Sequence, residues 1–181
     1  MNKINLTFLI LIGFILFSCI DSKKEGFIHN VDKLTEKLDS LEKVILESKI
    51  DTIASWQQNA SSVELRIKNN LYVTKVDVDF AKKMDDYKRM RRMLNPINRN
   101  YVKTKEAIEE EKLALANLKK DIENGAGKRD KYSEYIEFEK GKIKQIQLLI
   151  EDYLNTKNEA LEIHNRLHND LNSFSLSLLK K

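Results

Sequence analysis

Apolar residues recur along most of this chain at alternating steps of three and four, which is the spacing of a coiled-coil heptad. From Leu94 to Ile122 the alternation runs without a slip. The apolar stripe is narrow, and the other faces of the predicted helices are charged or carry amides. A helix with this pattern cannot bury its own seam, so it needs partner helices along its whole length.

Three such runs follow one another, and they predict helices at about residues 27–70, 79–124 and 130–178. The chain is 33% charged and has only 5 Gly and 1 Pro, which is too few chain breakers for a compact sheet protein. We expect an all-α fold, an elongated antiparallel three-helix bundle of coiled-coil type formed by residues 27–181. The alternative is a long two-helix hairpin, residues 79–178, that dimerises.

Two positions interrupt the regular pattern. Ser61 and Glu64 have the spacing of a capping box, so we expect a break or kink near residues 57–61. Pro96 removes a helical hydrogen bond, and Asn95-Pro96 also fits an N-cap followed by the first helical residue. Because the heptad phase continues across Pro96, we expect a kink in one long helix rather than a break that starts a fourth helix.

The first residues carry a different pattern. Lys3 precedes an apolar run from Leu6 to Phe17, about a dozen residues, which suits a signal peptide and is shorter than the ~20 residues of a membrane-spanning helix. We therefore interpret residues 1–18 as a cleaved leader. The run ends at Cys19, the only cysteine in the chain.

The sequence Leu16-Phe17-Ser18-Cys19 resembles the lipobox of bacterial lipoproteins, with a branched aliphatic residue three places before the cysteine and a small residue directly before it. Phe17 is bulkier than the usual occupant of its position. The resemblance implies that Cys19 receives a diacylglycerol, and an acyl chain such as palmitate on its new amino group. The mature chain also resembles, in layout only, the small helical envelope lipoproteins of diderm bacteria. The alternative is a plain N-terminal membrane anchor with an incidental cysteine.

Lipidation would make residues 19–26 a tether and would place the protein in the cell envelope, with the membrane as its first partner. In enterobacterial lipoproteins an aspartate directly after the cysteine signals retention in the inner membrane. Here Ile20 holds that place and Asp21 follows, so the outer membrane is favoured. A lipidated Cys19 leaves no thiol for catalysis or metal binding, and nucleic acid is not an expected partner of an exported chain.

The sharpest functional hint in the mature chain is a basic segment, residues 82–105, with nine Lys and Arg residues against only two acidic residues. It predicts a surface for an anionic partner, with the following candidate residues: Lys82, Lys83, Lys88, Arg89, Arg91, Arg92 and Arg99. The alternative is that these cations pair with acidic residues on the other helices, such as Glu109, Glu110 and Glu111 or the glutamates of the third run.

His164 and His168 lie four apart, so on a helix they share one face, as the metal ligands of zincins do. A zincin has glutamate directly after the first histidine, whereas this chain has Asn165. We interpret the pair as solvated or interhelical, and we expect neither a metal nor a cofactor.

The pattern suggests no combination of nucleophile, base and acid, and a narrow coiled-coil core leaves little room for a pocket. We expect no enzyme activity. The predicted function is that of a lipid-anchored structural or adaptor protein that binds another envelope component, with a homodimer as a further way to complete the seams. The alternative is a binding module for anionic envelope lipids or glycans through residues 82–105.

Overall fold

The structure is a computed structural model that describes residues 23–72, 75 and 77–180 in full, and only the helical backbone from Lys3 to residue 22. The predicted signal peptide and lipidation site at Cys19 therefore lie outside the fully described residues. Four α-helices form the described chain: α1 (Lys3–Glu47), α2 (Ile53–Asn70), α3 (Val78–Asn124) and α4 (Tyr132–Ser177). Short 3-10 helices at Arg129–Lys131 and Leu178–Lys180 precede and follow α4. The described residues contain no strand, and the all-α prediction is confirmed.

The heptad stripe forms the core. The buried members of the stripe in α3 and α4 are Met84, Tyr87, Met90, Leu94, Ile97, Ile108, Leu115, Leu118 and Ile122, followed by Ile136, Ile143, Ile146, Ile150, Tyr153, Ala160, Ile163, Leu167 and Leu171. Two buried stripe positions in α3 are polar, Thr104 and Glu111. The core is therefore a seam of aliphatic and aromatic side chains with a carboxyl group inside it.

The first helical run is interrupted at residues 48–52, and the prediction of a break near residues 57–61 was wrong. Helix α2 passes through those residues without a break. The physical reason is that Glu64 is held by Arg91, with Nε 2.7 Å from Oε1, and does not close a capping box on Ser61. At the real break, the carbonyl of Ser48 accepts hydrogen bonds from Tyr153 (2.9 Å) and Lys157 (2.8 Å).

Helix α3 continues through Pro96, as the unbroken heptad phase predicted. Leu94 and Ile97, on either side of the proline, are both 1% exposed. Burial of these flanking side chains keeps the backbone helical although the proline ring removes one hydrogen bond. The fourth, shorter helix that a break would have produced at this point is not formed.

The chain divides into two compact units. Unit 1 consists of Met1–Lys43 and Ala107–Ile146. Within it, Asp32 pairs with Lys119 (2.7 Å) and Glu42 with Lys112 (2.6 Å), so α1 and α3 are antiparallel there. The turn after α3 is a Schellman motif, because Ala126 N–H bonds to Asp121 O (2.8 Å) and Gly125 N–H to Ile122 O (3.1 Å). Gly125 has the positive φ of +62° that this C-cap requires.

Unit 2 consists of Val44–Glu106 and Gln147–Lys181. Within it, Arg66 of α2 donates to Asn172 (2.7 Å) and to Ser175 (3.0 Å) of α4. Tyr87 of α3 lies with its hydroxyl 2.6 Å from Nδ1 of His168 of α4. Side-chain pairs therefore link α4 to α2 and to α3 in this unit.

Candidate functional site

The predicted basic surface lies on α3 within unit 2. Tyr87, Met90 and Leu94 of the same helix point into the core, which leaves the basic residues on the remaining faces. Of the seven candidate residues, six are exposed and only Arg91 is half-buried. The segment therefore presents cations to solvent along one helix, as the sequence indicated.

Part of this basic charge is used inside unit 2. Arg91 pairs with Glu64 of α2 at 2.7 Å, and Arg89 pairs with Glu159 of α4 as well as with Asp86. Lys88 lies 3.9 Å from its neighbour Asp85. The alternative interpretation, pairing with the acidic faces of other helices, is therefore correct for Arg89 and Arg91.

The other predicted cations have no acidic oxygen within 4.0 Å among the described residues. They are Lys82, Lys83, Arg92 and Arg99, and Lys103 shares this property. Arg92, Arg99 and Lys103 follow one another at steps of seven and four, which places them on the same side of the helix. We call these three residues the basic face of α3.

A groove lies between α2 and α3 in unit 2. It consists of two cavities, of about 540 and 440 Å³, that share Met84 and Lys88 as lining residues. Leu65 of α2 lines the first cavity and is 57% exposed, although leucine is a typical core residue. Lys68 lines the same cavity from α2. The first cavity thus combines an apolar wall with the ammonium groups of Lys68 and Lys88, whereas the carboxylates of Asp77 and Asp85 line the second.

The sequence pattern did not indicate this groove. Leu65 falls outside the heptad stripe, and Lys68 lies outside the basic segment, so neither residue carried a signal by itself. The available signal was Leu65, a leucine outside the heptad stripe that lies about one helical turn before Lys68. It becomes a site only because α2 and α3 are neighbours in unit 2.

The two histidines form part of a stack. The ring centroids of Trp56 and His164 lie 4.4 Å apart, and those of His164 and His168 lie 4.6 Å apart. The two imidazole planes are inclined by 13°. Because nitrogen lone pairs lie in the ring plane, two nearly parallel imidazoles do not aim at one metal ion. Burial lowers the pKa of both histidines, and the charge of His164 lowers that of His168 further.

A charged cluster in unit 1 was also missed. Lys142 Nζ lies 2.6 Å from Glu111 Oε2 and 2.7 Å from Glu139 Oε2, while Glu111 Oε1 has no hydrogen-bond partner among the described residues. Burial, together with the charge of Glu139, raises the pKa of Glu111 against the opposing effect of Lys142. The available signal was a glutamate at a heptad core position, midway along the most regular run.

In the described part of the chain, no group of three or more His, Cys, Asp and Glu residues is arranged to hold a metal ion. Within the same residues, no helix is both long and apolar enough to cross a membrane. No protein-family model, curated protein or solved structure matches this chain.

Proposed function

We propose that this protein is a lipid-anchored lipoprotein of the cell envelope that acts as a structural or adaptor protein by binding another envelope component. Its attachment point is Cys19, at the end of the lipobox-like Leu16-Phe17-Ser18-Cys19, and the outer membrane is the favoured location. Each buried methylene adds ~0.8 kcal/mol, so two or three acyl chains make release from a bilayer slow. The protein acts by binding alone, without catalysis, cofactor or metal, and nucleic acid is not a partner.

The finer architecture is part of this proposal. We infer an elongated antiparallel three-helix bundle of coiled-coil type whose seams are completed within one chain. Its support is the continuous buried stripe of α3 and α4, together with the antiparallel pairing of α1 and α3 inside unit 1. A homodimer is the competing arrangement.

The α2–α3 groove is the observation that favours an adaptor role. In its cavity of about 540 Å³, where Glu64 is already paired with Arg91, the exposed Leu65 and the lysines Lys68 and Lys88 complement a helix with an apolar face and acidic flanks. An envelope protein that offers such a helix is the partner that this groove fits best. The apolar wall supplies the contact area, and the lysines select for acidic residues beside it.

Anchoring is tested by the mass of the protein purified from its own membrane. We expect the mature protein to lack residues 1–18 and to carry the added mass of a diacylglycerol and an acyl chain on Cys19. The matched control, Cys19→Ser, should keep its leader and carry no lipid. An unmodified Cys19 in the mature protein would refute the lipoprotein assignment.

The adaptor role is tested by a photo-cross-linking amino acid at position 65, with position 113 as a matched control. Leu65 and Leu113 are both exposed leucines, but only Leu65 lines the groove. We expect one discrete cross-linked product from position 65, lost in Lys68→Glu/Lys88→Glu, and none from position 113. Equal products from both positions, or none from position 65, would count against the groove.

A second function, binding of anionic envelope lipids or glycans, is favoured by the basic face of α3. Arg92 and Arg99 are exposed, with no acidic oxygen within 4.0 Å in the described chain. On a soluble variant that begins at Ile20, Arg92→Glu/Arg99→Glu should weaken binding to anionic vesicles. The control Lys120→Glu/Lys144→Glu makes the same change in net charge outside the segment. Affinity that does not change with salt would exclude this function, because exposed charges are screened.

A further inference from the structure

The first fully described turn of α1 lies against the turn between α3 and α4 in unit 1. The ring of Phe27 meets that of Tyr132 edge-on, with centroids 5.9 Å apart and planes at 82°. Tyr132 is 5% exposed, and its hydroxyl lies 2.5 Å from the carbonyl oxygen of Ala126. The beginning of the described chain and the α3–α4 turn are therefore held together by an aromatic contact.

A cavity of about 360 Å³ lies at this contact, within the size range of ligand sites, ~300–1,000 Å³. Phe27, Ile122 and Tyr132 provide apolar lining. Lys23, Lys24 and Arg129 provide three cations, against the single acidic residue Glu123. The lining is thus partly apolar and carries an excess of positive charge.

The three cations are not neutralised within the described structure. Lys23 and Lys24 have no acidic oxygen within 4.0 Å among the described residues. Arg129 donates from Nε to the carbonyl oxygen of Gly125 (2.8 Å), a neutral acceptor that fixes the guanidinium and leaves its charge in place. The cavity therefore suits one anionic group next to apolar atoms.

Two lining residues of this cavity, Lys23 and Lys24, lie close to Cys19 in the sequence, which indicates the source of the anion. This step rests on the proposed lipidation of Cys19. Lys23 lies four residues after Cys19, so even a fully extended chain spans no more than about 14 Å between them. The headgroup layer of a bilayer is about 5–8 Å thick on each side. An anchored Cys19 would thus keep the cavity close to the lipid headgroups.

We propose that this cavity binds the phosphate of an anionic phospholipid headgroup in the membrane that carries the protein. Lys23, Lys24 and Arg129 surround the phosphate, while Phe27, Ile122 and Tyr132 contact the glycerol and the first methylenes. The end of unit 1 that contains the α3–α4 turn then rests on the membrane surface, and the lipid anchor and the headgroup site hold this unit at two points.

The test uses the full lipidated protein in nanodiscs of phosphatidylglycerol and, for comparison, of phosphatidylcholine. Amide hydrogen exchange is followed in peptides that cover residues 23–30 and 122–132. We expect several-fold slower exchange of both peptides in phosphatidylglycerol than in phosphatidylcholine. This difference should disappear between ~0.1 and ~1 M salt, because the screening length of the solution becomes shorter. Lys24→Ala/Arg129→Ala should abolish the difference and Arg129→Lys should keep most of it, whereas Lys120→Ala/Lys144→Ala, at exposed positions outside the cavity, should leave it unchanged.

The outcomes separate this site from the anchor. Equal exchange in the two nanodiscs, with the protein retained in both, would overturn the headgroup site and leave the anchor standing. Failure of the protein to stay in either nanodisc would overturn the anchor and, with it, this inference. If inorganic phosphate slows exchange equally in phosphatidylcholine, the cavity is a site for free anions and the assignment to a lipid headgroup is wrong.

Discussion

Glu111 is a carboxyl group in a seam of apolar side chains, 1% exposed, and one of its oxygens has no hydrogen-bond partner in the described part of the chain. Burial raises its pKa, so the folded state holds this proton more tightly than the unfolded state does. The resulting cost to stability is fully present above the folded pKa and disappears as pH falls through the unfolded value, 4.5. Glu111→Leu should therefore stabilise the protein at neutral pH, by about 1–4 kcal/mol.

Substitution of Lys142 should have the opposite effect on the free energy of unfolding. In Glu111→Leu, Lys142 keeps Glu139 as its partner, so no charge is left unpaired. In Lys142→Met, Glu111 stays buried without its cation, and we expect a loss of about 3–5 kcal/mol at neutral pH that shrinks in acid. Urea unfolding of both variants from pH 4 to pH 8 measures these effects. Destabilisation by Glu111→Leu would mean that the cluster is a net source of stability.

His164 and His168 predict acid sensitivity in unit 2. Burial lowers both pKa values below 6.5, so the unfolded state binds more protons once the pH falls below that value. The contribution of the two neutral histidines to stability is therefore fully present above pH 6.5 and is lost as pH falls toward their folded pKa values. His164→Phe preserves an aromatic ring against Trp56 and removes one titrating group, so it should flatten the pH dependence of the urea midpoint. An unchanged profile between pH 5 and pH 7.5 would contradict this explanation.

Along a single helix, the heptad pattern of buried side chains outweighs a local helix-breaking residue. It carries α3 through Pro96, although proline in a helix interior costs about 3 kcal/mol. Pro96→Ala should therefore raise the free energy of unfolding by about 1–3 kcal/mol. Asn98→Ala, at an exposed position in the same turn, is the matched control and should change stability by only a few tenths of a kcal/mol. A lower thermal midpoint for Pro96→Ala would show that the proline is required by the local packing.

The interruption between α1 and α2 illustrates the opposite case. The Ser61–Glu64 spacing was a genuine capping signal in the sequence, but Glu64 bonds to an arginine 27 residues away. The carbonyl of Ser48 is satisfied by Tyr153, which lies 105 residues further along the chain. Local patterns could not locate this break because the groups that satisfy it come from another helix.

At the scale of the whole molecule, the proposed arrangement predicts a monomer. If every seam is completed within one chain, a soluble variant that begins at Ile20 should scatter as a single chain. Its length should be about 70 Å, the span of a 47-residue helix such as α3 at 1.5 Å per residue. Small-angle scattering with a light-scattering mass measures both quantities. A dimeric mass would show that the seams are shared between chains and would favour the two-helix hairpin.

The sequence by itself determined the helical class and the stripe that forms the core, since both follow from a periodicity of a few residues. It also indicated the glycine turn at residues 124–127, because Gly125 readily adopts positive φ. Only the tertiary structure decided which charges are used internally. Arg91 is held by Glu64 and Glu111 by Lys142, whereas Arg92 and Arg99 remain exposed. The reason is that ion pairing between helices depends on their register and contact, which a heptad repeat leaves open along its length.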